Sequence, residues 1–270
     1  KGLSVVFGDV RDAHQMEEVC RGCDVAYHLA ALIDVPFSYQ APASYVATNV
    51  MGTLNILEGC RRAEVGRVVV TSSSEVYGTP ATLPIRETHP LQAQSPYAAS
   101  KIAADQLALS YHRSFGLPVV VLRPFNTYGP RQSTRAVLPS ILTQLLRGEM
   151  EVRLGRLDTK RDMTYVSDTV AGFVAAGKAL GIDGEIIQLG TGAAHSIFDM
   201  YILASITLGS RAGYAHRTPD LMRPDASEVL ALQSDPAKAR GLLGWVPQVA
   251  LAEGIERTAD WLRGHLRNAA

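Results

Sequence analysis

Tyr97 and Lys101 stand four residues apart in Ser95-Pro96-Tyr97-Ala98-Ala99-Ser100-Lys101. A phenol and an ammonium at that spacing share one face of a helix. Ser95 suits the N-cap and Pro96 the first helical position, so the helix is expected to begin just before Tyr97. The positive helix end and the Lys101 ammonium both favour tyrosinate over phenol. The expectation is an acidity moved from ~10 towards neutrality, which would make Tyr97 a usable base. A surface Tyr–Lys pair on an amphipathic helix has the same spacing, so this motif needs a second signal.

That signal lies upstream, where the apolar run Gly66-Arg67-Val68-Val69-Val70 ends in Thr71-Ser72-Ser73-Ser74-Glu75-Val76-Tyr77-Gly78. In a parallel sheet the C-terminal ends of strands face the ligand crevice. Hydroxyls placed there can bond a substrate alcohol, and a part-buried Glu75 carboxylate can act as base or acid. The plainer alternative is that the serines end the strand and Glu75 caps the next turn. Two independent motifs that agree favour the site.

These side chains need a frame, and the chain supplies alternating strand-like and helical patterns. Leu3 to Phe7 reads as a strand, Asp12 to Cys20 as a helix capped by Asp12, and Val25 to Ala30 as a second buried run. Ser44 to Ala63 carries Val46, Val50, Leu54, Leu57 and Ala63 near helical spacing. Arg67 to Thr71 and Pro118 to Leu122 read as strands, with a long helix from Pro96 to Phe115 between them. Alternation of this kind implies right-handed βαβ units and a parallel sheet. The expected class is α/β, a Rossmann-like doubly wound parallel sheet.

After Tyr128-Gly129-Pro130 the loops lengthen and arginines recur at 131, 135, 147, 153, 156 and 161. A helix from Ser167 to Leu180 and a strand from Glu185 to Leu189 could return to the sheet. Trp245 and a last helix from Leu251 to Leu266 suggest a small C-terminal substrate-binding lobe. The expected division is residues 1–129, partly rejoined by 163–190, against a lobe of 130–162 and 191–270.

Composition narrows the class further. The chain has 270 residues, formal net charge zero and 47% hydrophobic residues. That composition disfavours disorder and a general nucleic-acid binder. No apolar run reaches membrane-spanning length and no leader pattern opens the chain, so a cytoplasmic protein is the default. Cys20 and Cys23 spell C-x-x-C, but no second ligand pair follows, so they are expected to be structural and no metal site is expected. The first strand–turn–helix lacks the glycine-rich spacing that grips a pyrophosphate. The chain therefore reads as starting at a third strand, with roughly 50 residues missing upstream.

Taken together, the motifs resemble an extended short-chain dehydrogenase/reductase of the nucleotide-sugar epimerase/dehydratase group. The matching stretches are Gly8-Asp9-Val10-Arg11-Asp12, His28-Leu29-Ala30-Ala31, Thr48-Asn49-Val50-Met51-Gly52-Thr53, the Thr71–Gly78 and Ser95–Lys101 segments, Arg123-Pro124-Phe125-Asn126-Thr127-Tyr128-Gly129-Pro130-Arg131, Lys160-Arg161-Asp162-Met163-Thr164-Tyr165-Val166 and Leu243-Gly244-Trp245. The resemblance implies NAD as cofactor, with Asp9 and Val10 beside the adenine and Leu29, Ala30 and Ala31 along its ribose and phosphates. It also places Asn49 and Ser72 near the cofactor, Lys101 on the nicotinamide ribose and Pro124 against the nicotinamide. Asn126, Arg131, Arg161 and Arg223 would meet a nucleotide-sugar substrate, and guanidinium suits a diphosphate. In similar proteins the helices of Ser44–Ala63 and Pro96–Phe115 form a four-helix contact, which implies a homodimer.

The resemblance implies that Tyr97, assisted by Ser73, takes a proton from a sugar hydroxyl while hydride goes to NAD. The resulting 4-keto sugar can be epimerised, dehydrated across C5 and C6, or decarboxylated. Simple 4-epimerases commonly carry a non-acidic residue at the position of Glu75. Dehydratases resemble Ser-Thr-Asp-Glu-Val-Tyr-Gly, with Asp as acid and Glu as base; Ser74 stands at the Asp position and is a weaker acid. Decarboxylases of the aminoarabinose type resemble Ser-Thr-Ser-Glu-Val-Tyr-Gly. The favoured expectation is a 4,6-dehydratase-type enzyme with Ser73, Ser74, Glu75, Tyr97 and Lys101 as its catalytic set. A decarboxylase, a uronic-acid 4-epimerase and, without the glycine-rich turn, a non-catalytic interaction domain are the alternatives.

Overall fold

The computed structural model of the chain describes residues 2–215 and 218–268. Its first half runs α1 (Ala13–Cys20), β1 (Val25–His28), α2 (Val35–Gln40), α3 (Pro42–Tyr45), a π-helical turn (Val46–Met51), α4 (Gly52–Arg62), β2 (Arg67–Thr71), a 3-10 turn (Ser74–Tyr77), α5 (Pro96–Phe115) and β3 (Val119–Pro124). Its second half runs β4 (Asn126–Tyr128), α6 (Val137–Leu146), β5 (Glu151–Arg153), β6 (Lys160–Tyr165), α7 (Val166–Lys178), β7 (Ile186–Leu189), β8 (Ala194–Ser196), α8 (Ile197–Leu208), β9 (Gly213–Ala215), β10 (Ala231–Leu232), α9 (Ala237–Leu243) and α10 (Leu251–Asn268).

The main sheet has the order β1-β2-β3-β7, and every pairing in it is parallel. Its valine-rich strands are buried on both faces, which is why they read as apolar runs rather than as alternating ones. Val68 and Val70 pack with Leu57, Cys60, Ala108 and Leu109 under α4 and α5. Val69 points the other way, to Phe173, Ala176 and Trp245 beneath α7 and α9. Successive side chains thus serve opposite helical layers, as a doubly wound sheet requires. The strand at 186–189 does return to this sheet, pairing with β3.

A second sheet, β10-β6-β4 with β8 on the flank of β6, packs against α6, α8 and α10. Buried Asp162 on β6 ties the two sheets together. Its Oδ1 accepts from Thr191 N at 2.8 Å and Thr191 Oγ1 at 2.6 Å, just beyond β7. Its Oδ2 accepts from Gly192 N at 2.9 Å and Ser234 Oγ at 2.6 Å, just beyond β10. Trp245 Nε1 donates to the Asp168 carbonyl at 2.7 Å, and Gly244, at φ +61°, ends α9 in the left-handed turn that swings the indole inward.

Two expected elements differ. Leu3 to Phe7 forms no strand, and Leu3 and Phe7 are 93% and 92% exposed. Among the described residues β1 pairs with β2 alone, so no neighbouring strand offers these residues a ladder. Gln15 instead donates to the Phe7 carbonyl at 2.7 Å and accepts from Asp9 N at 3.0 Å. The single helix expected over Ser44–Ala63 is divided by the π turn at Val46–Met51, which holds Asn49. The thiols of Cys20 and Cys60 lie 3.5 Å apart between α1 and α4, and Cys23 is exposed.

Candidate active site

The C-terminal ends of β2 and β3 and the first turn of α5 converge. Ser95 caps α5 by accepting from Ala98 N at 3.1 Å, with Pro96 in the first turn, as the sequence suggests. Ser73 caps the 3-10 turn by accepting from Glu75 N at 3.2 Å, which turns Ser74 inward and leaves the Glu75 side chain 13% exposed. The buried Tyr97 ring meets Tyr45 edge-on at 6.3 Å, and the phenol hydrogen-bonds Ser73.

The acidity of Tyr97 corrects the expectation. Burial, opposed by the Ser73 hydrogen bond and reinforced by the carboxylates of Glu75 and Asp105, pushes the phenol up to about 12. The Lys101 ammonium donates to the Thr71 carbonyl at 2.5 Å. Burial pushes Lys101 itself down to about 8, against the pull of Asp105. The helix end contributes only partial charge, so desolvation prevails.

Beneath Lys101 lies a buried polar network. Asp105 Oδ2 accepts from Ser72 Oγ at 2.8 Å and from Arg123 Nε at 3.0 Å. Arg123 Nη1 donates to the Tyr77 hydroxyl at 3.0 Å, and the guanidinium lies 5.1 Å from the Tyr77 ring centre. Sequence reasoning missed Asp105, although it stands one turn beyond Lys101 on the same helix face. Asp105→Ala would strand a buried guanidinium. The expected loss is about 3–5 kcal/mol, read as a lower urea midpoint at unchanged slope. A loss below about 1 kcal/mol would show that the pair does not hold the site together.

Asn49 braces the loop after β1. Its Oδ1 accepts from Leu32 N at 2.8 Å, and its Nδ2 donates to Leu32 O and Ser100 Oγ, both at 2.9 Å. Thr53 Oγ1 donates to the Asn49 carbonyl at 2.6 Å and meets His28 Nε2 at 2.9 Å. Burial, then the nearby Lys101 charge, pushes His28 down to about 4, so it is neutral.

Across the cleft, buried Arg161 on β6 donates to the Lys160 carbonyl at 2.9 Å and to Glu228 at 3.3 Å. Arg223 pairs with Glu75 at 3.6 Å. Asn126 pairs with Met163 across β4 and β6, and its buried Oδ1 has no hydrogen-bond partner among the described residues. Glu228 gave no sequence signal, because nothing local links it to Arg161.

The remaining expected residues lie around this centre. Asp9 is exposed and gripped by the Arg11 guanidinium, whose hydrogen bonds lower its carboxyl to about 2. Val10 is half-buried, with its carbonyl accepting from Asn55 Nδ2 at 2.9 Å. Leu29 and Ala30 are exposed and Ala31 is half-buried just beyond β1, and Pro124 is half-buried at the end of β3. Arg131 stands apart, exposed and at φ +69°. The structure therefore joins Ser72, Ser73, Glu75, Tyr97, Lys101, Arg161 and Arg223 in one cluster, and leaves Asp9, Val10 and Arg131 outside its hydrogen bonds.

The family model for GDP-mannose 4,6 dehydratase matches residues 1–258. A dTDP-glucose 4,6-dehydratase from Actinoplanes sp. is 35% identical over 263 residues, covering 97% of this chain and 81% of its own length. A UDP-glucose 4-epimerase from Mycolicibacterium smegmatis is 36% identical over 244 residues, covering 89% of this chain and 76% of its own. Among solved structures, a dTDP-glucose 4,6-dehydratase from Streptomyces venezuelae with NAD bound superposes with a TM-score of 0.86 at 33% identity, covering 96% of this chain and 79% of that one.

Proposed function

The chain belongs to the NAD-dependent nucleotide-sugar epimerase/dehydratase family of short-chain dehydrogenases/reductases, and on that premise we propose a 4,6-dehydratase-type reaction through a transient 4-keto sugar. Glu75 carries this reading, a carboxylate 13% exposed in the turn after β2 and close enough to make the Tyr97 phenol a weaker acid.

NAD is the family's cofactor, and the residues present fit its nicotinamide half. Lys101 has three donors and gives one to the Thr71 carbonyl, while the buried Thr71 hydroxyl has no hydrogen-bond partner among the described residues. We read Lys101 as holding the nicotinamide ribose and Pro124 as abutting the ring. Asp9 and Val10 take the adenine side in this reading, and Leu29, Ala30 and Ala31 the ribose and phosphates. Ser72 and Asn49 act from behind, Ser72 through Asp105 and Asn49 through the Leu32 backbone. When bound, NAD supplies a hydride acceptor that later returns the hydride, and a cationic ring.

The chain's own residues handle the protons. Alone, the buried Tyr97 phenol keeps its proton; a cationic ring beside it would favour the phenolate, the form in which Tyr97, bonded to Ser73, receives the proton of the C4 hydroxyl. The 4-ketone acidifies C5, and Glu75 takes that proton. Glu75, with Ser74 beside it, then delivers that proton to the departing C6 hydroxyl; C6 takes back the hydride and C5 a proton, matching the one Tyr97 took, so the net change is loss of one water. Asn126, Arg161 and Arg223 would bind the diphosphate side of a nucleotide sugar, with Arg131 at the rim.

A second reading, a 4-epimerase or a uronic-acid decarboxylase, draws on Ser74, a poor acid at a position where dehydratases carry a carboxylic acid. One experiment separates the readings: incubate the protein and NAD with a panel of nucleotide sugars and weigh the products. Loss of water is expected. Loss of carbon dioxide or a changed sugar of unchanged mass would replace the dehydratase reading, and no conversion with no NAD binding would mark a non-catalytic domain.

No described helix is long and apolar enough to cross a membrane. We read the protein as cytoplasmic. Val46, Met51 and Phe115 are 53%, 47% and 58% exposed on the helices expected to meet a second copy. We read that surface as the seat of a homodimer contact.

A further inference from the structure

We propose that Arg223 is a latch on Glu75, holding the carboxylate until the diphosphate of a nucleotide sugar draws the guanidinium away. Binding of the nucleotide half would then release the base that works on the sugar half. This rests on the reading above of Arg223 as a diphosphate ligand and Glu75 as the base.

The two arginines of the cleft are held in different ways. Arg161 is anchored on β6, with its side chain 8% exposed and its guanidinium bonded to the Lys160 carbonyl and to Glu228. Arg223 sits between the short 3-10 turns Pro219–Leu221 and Asp225–Ser227, with its side chain 24% exposed. Among the described residues its one ion pair is with Glu75, at 3.6 Å. Its Nη1 is buried and has no hydrogen-bond partner among the described residues. A charge-assisted hydrogen bond would bring the groups to about 2.7–2.9 Å. The pair is therefore an attraction without a made bond, and a ligand that completes the bond can replace it. A diphosphate carries more charge than a carboxylate and presents several oxygens to the guanidinium fork.

The backbone around Arg223 is held while its side chain is not. Ser227 Oγ donates to the Gln94 carbonyl at 2.6 Å, Gln94 Nε2 donates to the Ala226 carbonyl at 3.0 Å, and Tyr39 meets Ser227 Oγ at 2.5 Å. Exchange of partners then needs a side-chain rotation rather than a loop movement. Gln94 also adjoins Ser95, the cap of the helix that carries Tyr97, so the latch and the phenol share one frame. Coupling of this kind is reciprocal: if the nucleotide releases Glu75, Glu75 must weaken binding of the nucleotide.

The test is calorimetric titration of UDP and of dTDP into the NAD-loaded protein, for the wild type, Glu75→Gln, Arg223→Gln and the double variant, each checked for native circular dichroism. Glu75→Gln is expected to bind the better of the two nucleotides about tenfold more tightly, and Arg223→Gln about tenfold more weakly. In the Arg223→Gln background, Glu75→Gln should change nothing further. Tightening that persists there would show that Glu75 repels the phosphates directly, and the latch is overturned. Weaker binding in Arg223→Gln without any tightening in Glu75→Gln would leave Arg223 a plain ligand and also overturn it. If Arg223→Gln binds as the wild type does, or the wild type binds neither nucleotide, the underlying reading of Arg223 fails and the latch fails with it. Arg223→Lys keeps the charge and should keep part of the coupling, which guards against loss of fold in the glutamine variant.

Discussion

Tyr97→Phe removes turnover of every nucleotide sugar, a fall of about 10³–10⁴-fold in kcat with NAD binding retained. The substitution deletes one oxygen from a ring that Tyr45 holds edge-on, so the pocket keeps its shape. What disappears is the group that receives the C4 proton and its hydrogen bond to Ser73. A variant that kept kcat and only raised KM would reduce Tyr97 to a binding residue. The same variant has a signature in stability. The buried phenol keeps its proton up to about 12, while an unfolded tyrosine loses it near ~10. The native chain therefore binds more protons than the unfolded chain across that window, and wild-type stability falls as pH rises through it. Tyr97→Phe should show a shallower fall in urea midpoint between the two limits.

Glu75→Gln separates the steps of the reaction. The amide preserves volume and hydrogen bonding but cannot take a proton from C5. Oxidation at C4 should survive, seen as near-ultraviolet absorbance of reduced cofactor, while loss of water slows by about 10²–10⁴-fold. Full dehydration by Glu75→Gln would remove the role assigned to Glu75 and direct attention to the epimerase reading. The variant also frees Arg223, whose ion pair with Glu75 is its only one among the described residues, so product mass should be read alongside nucleotide affinity.

The sequence by itself determined what neighbours along the chain decide. The cap at Ser95, the proline after it and the four-residue step from Tyr97 to Lys101 are local, and the structure reproduces them. The valine runs of β2 and β3 announced strands buried on both faces, because such strands have no polar side to display. The Ser-Ser-Ser-Glu stretch announced where β2 ends, because a run of hydroxyls and a carboxylate does not continue a strand buried on both faces.

Tertiary structure decided the rest, in each case because the partner is remote in sequence. Leu3 to Phe7 has a strand's composition, but a strand exists only beside another strand. Asn49 turns inward on a π turn to bond the Leu32 backbone, an arrangement without a local signature. The sign of the Tyr97 shift followed from burial, which no i and i+4 spacing reports. Ser72 meets Asp105 once α5 packs on the main sheet, Arg161 meets Glu228 once β10 pairs with β6, and Arg223 meets Glu75 across the cleft. Those pairings depend on where the backbone brings distant charges together, and in a low-dielectric cleft that placement decides which charge answers which.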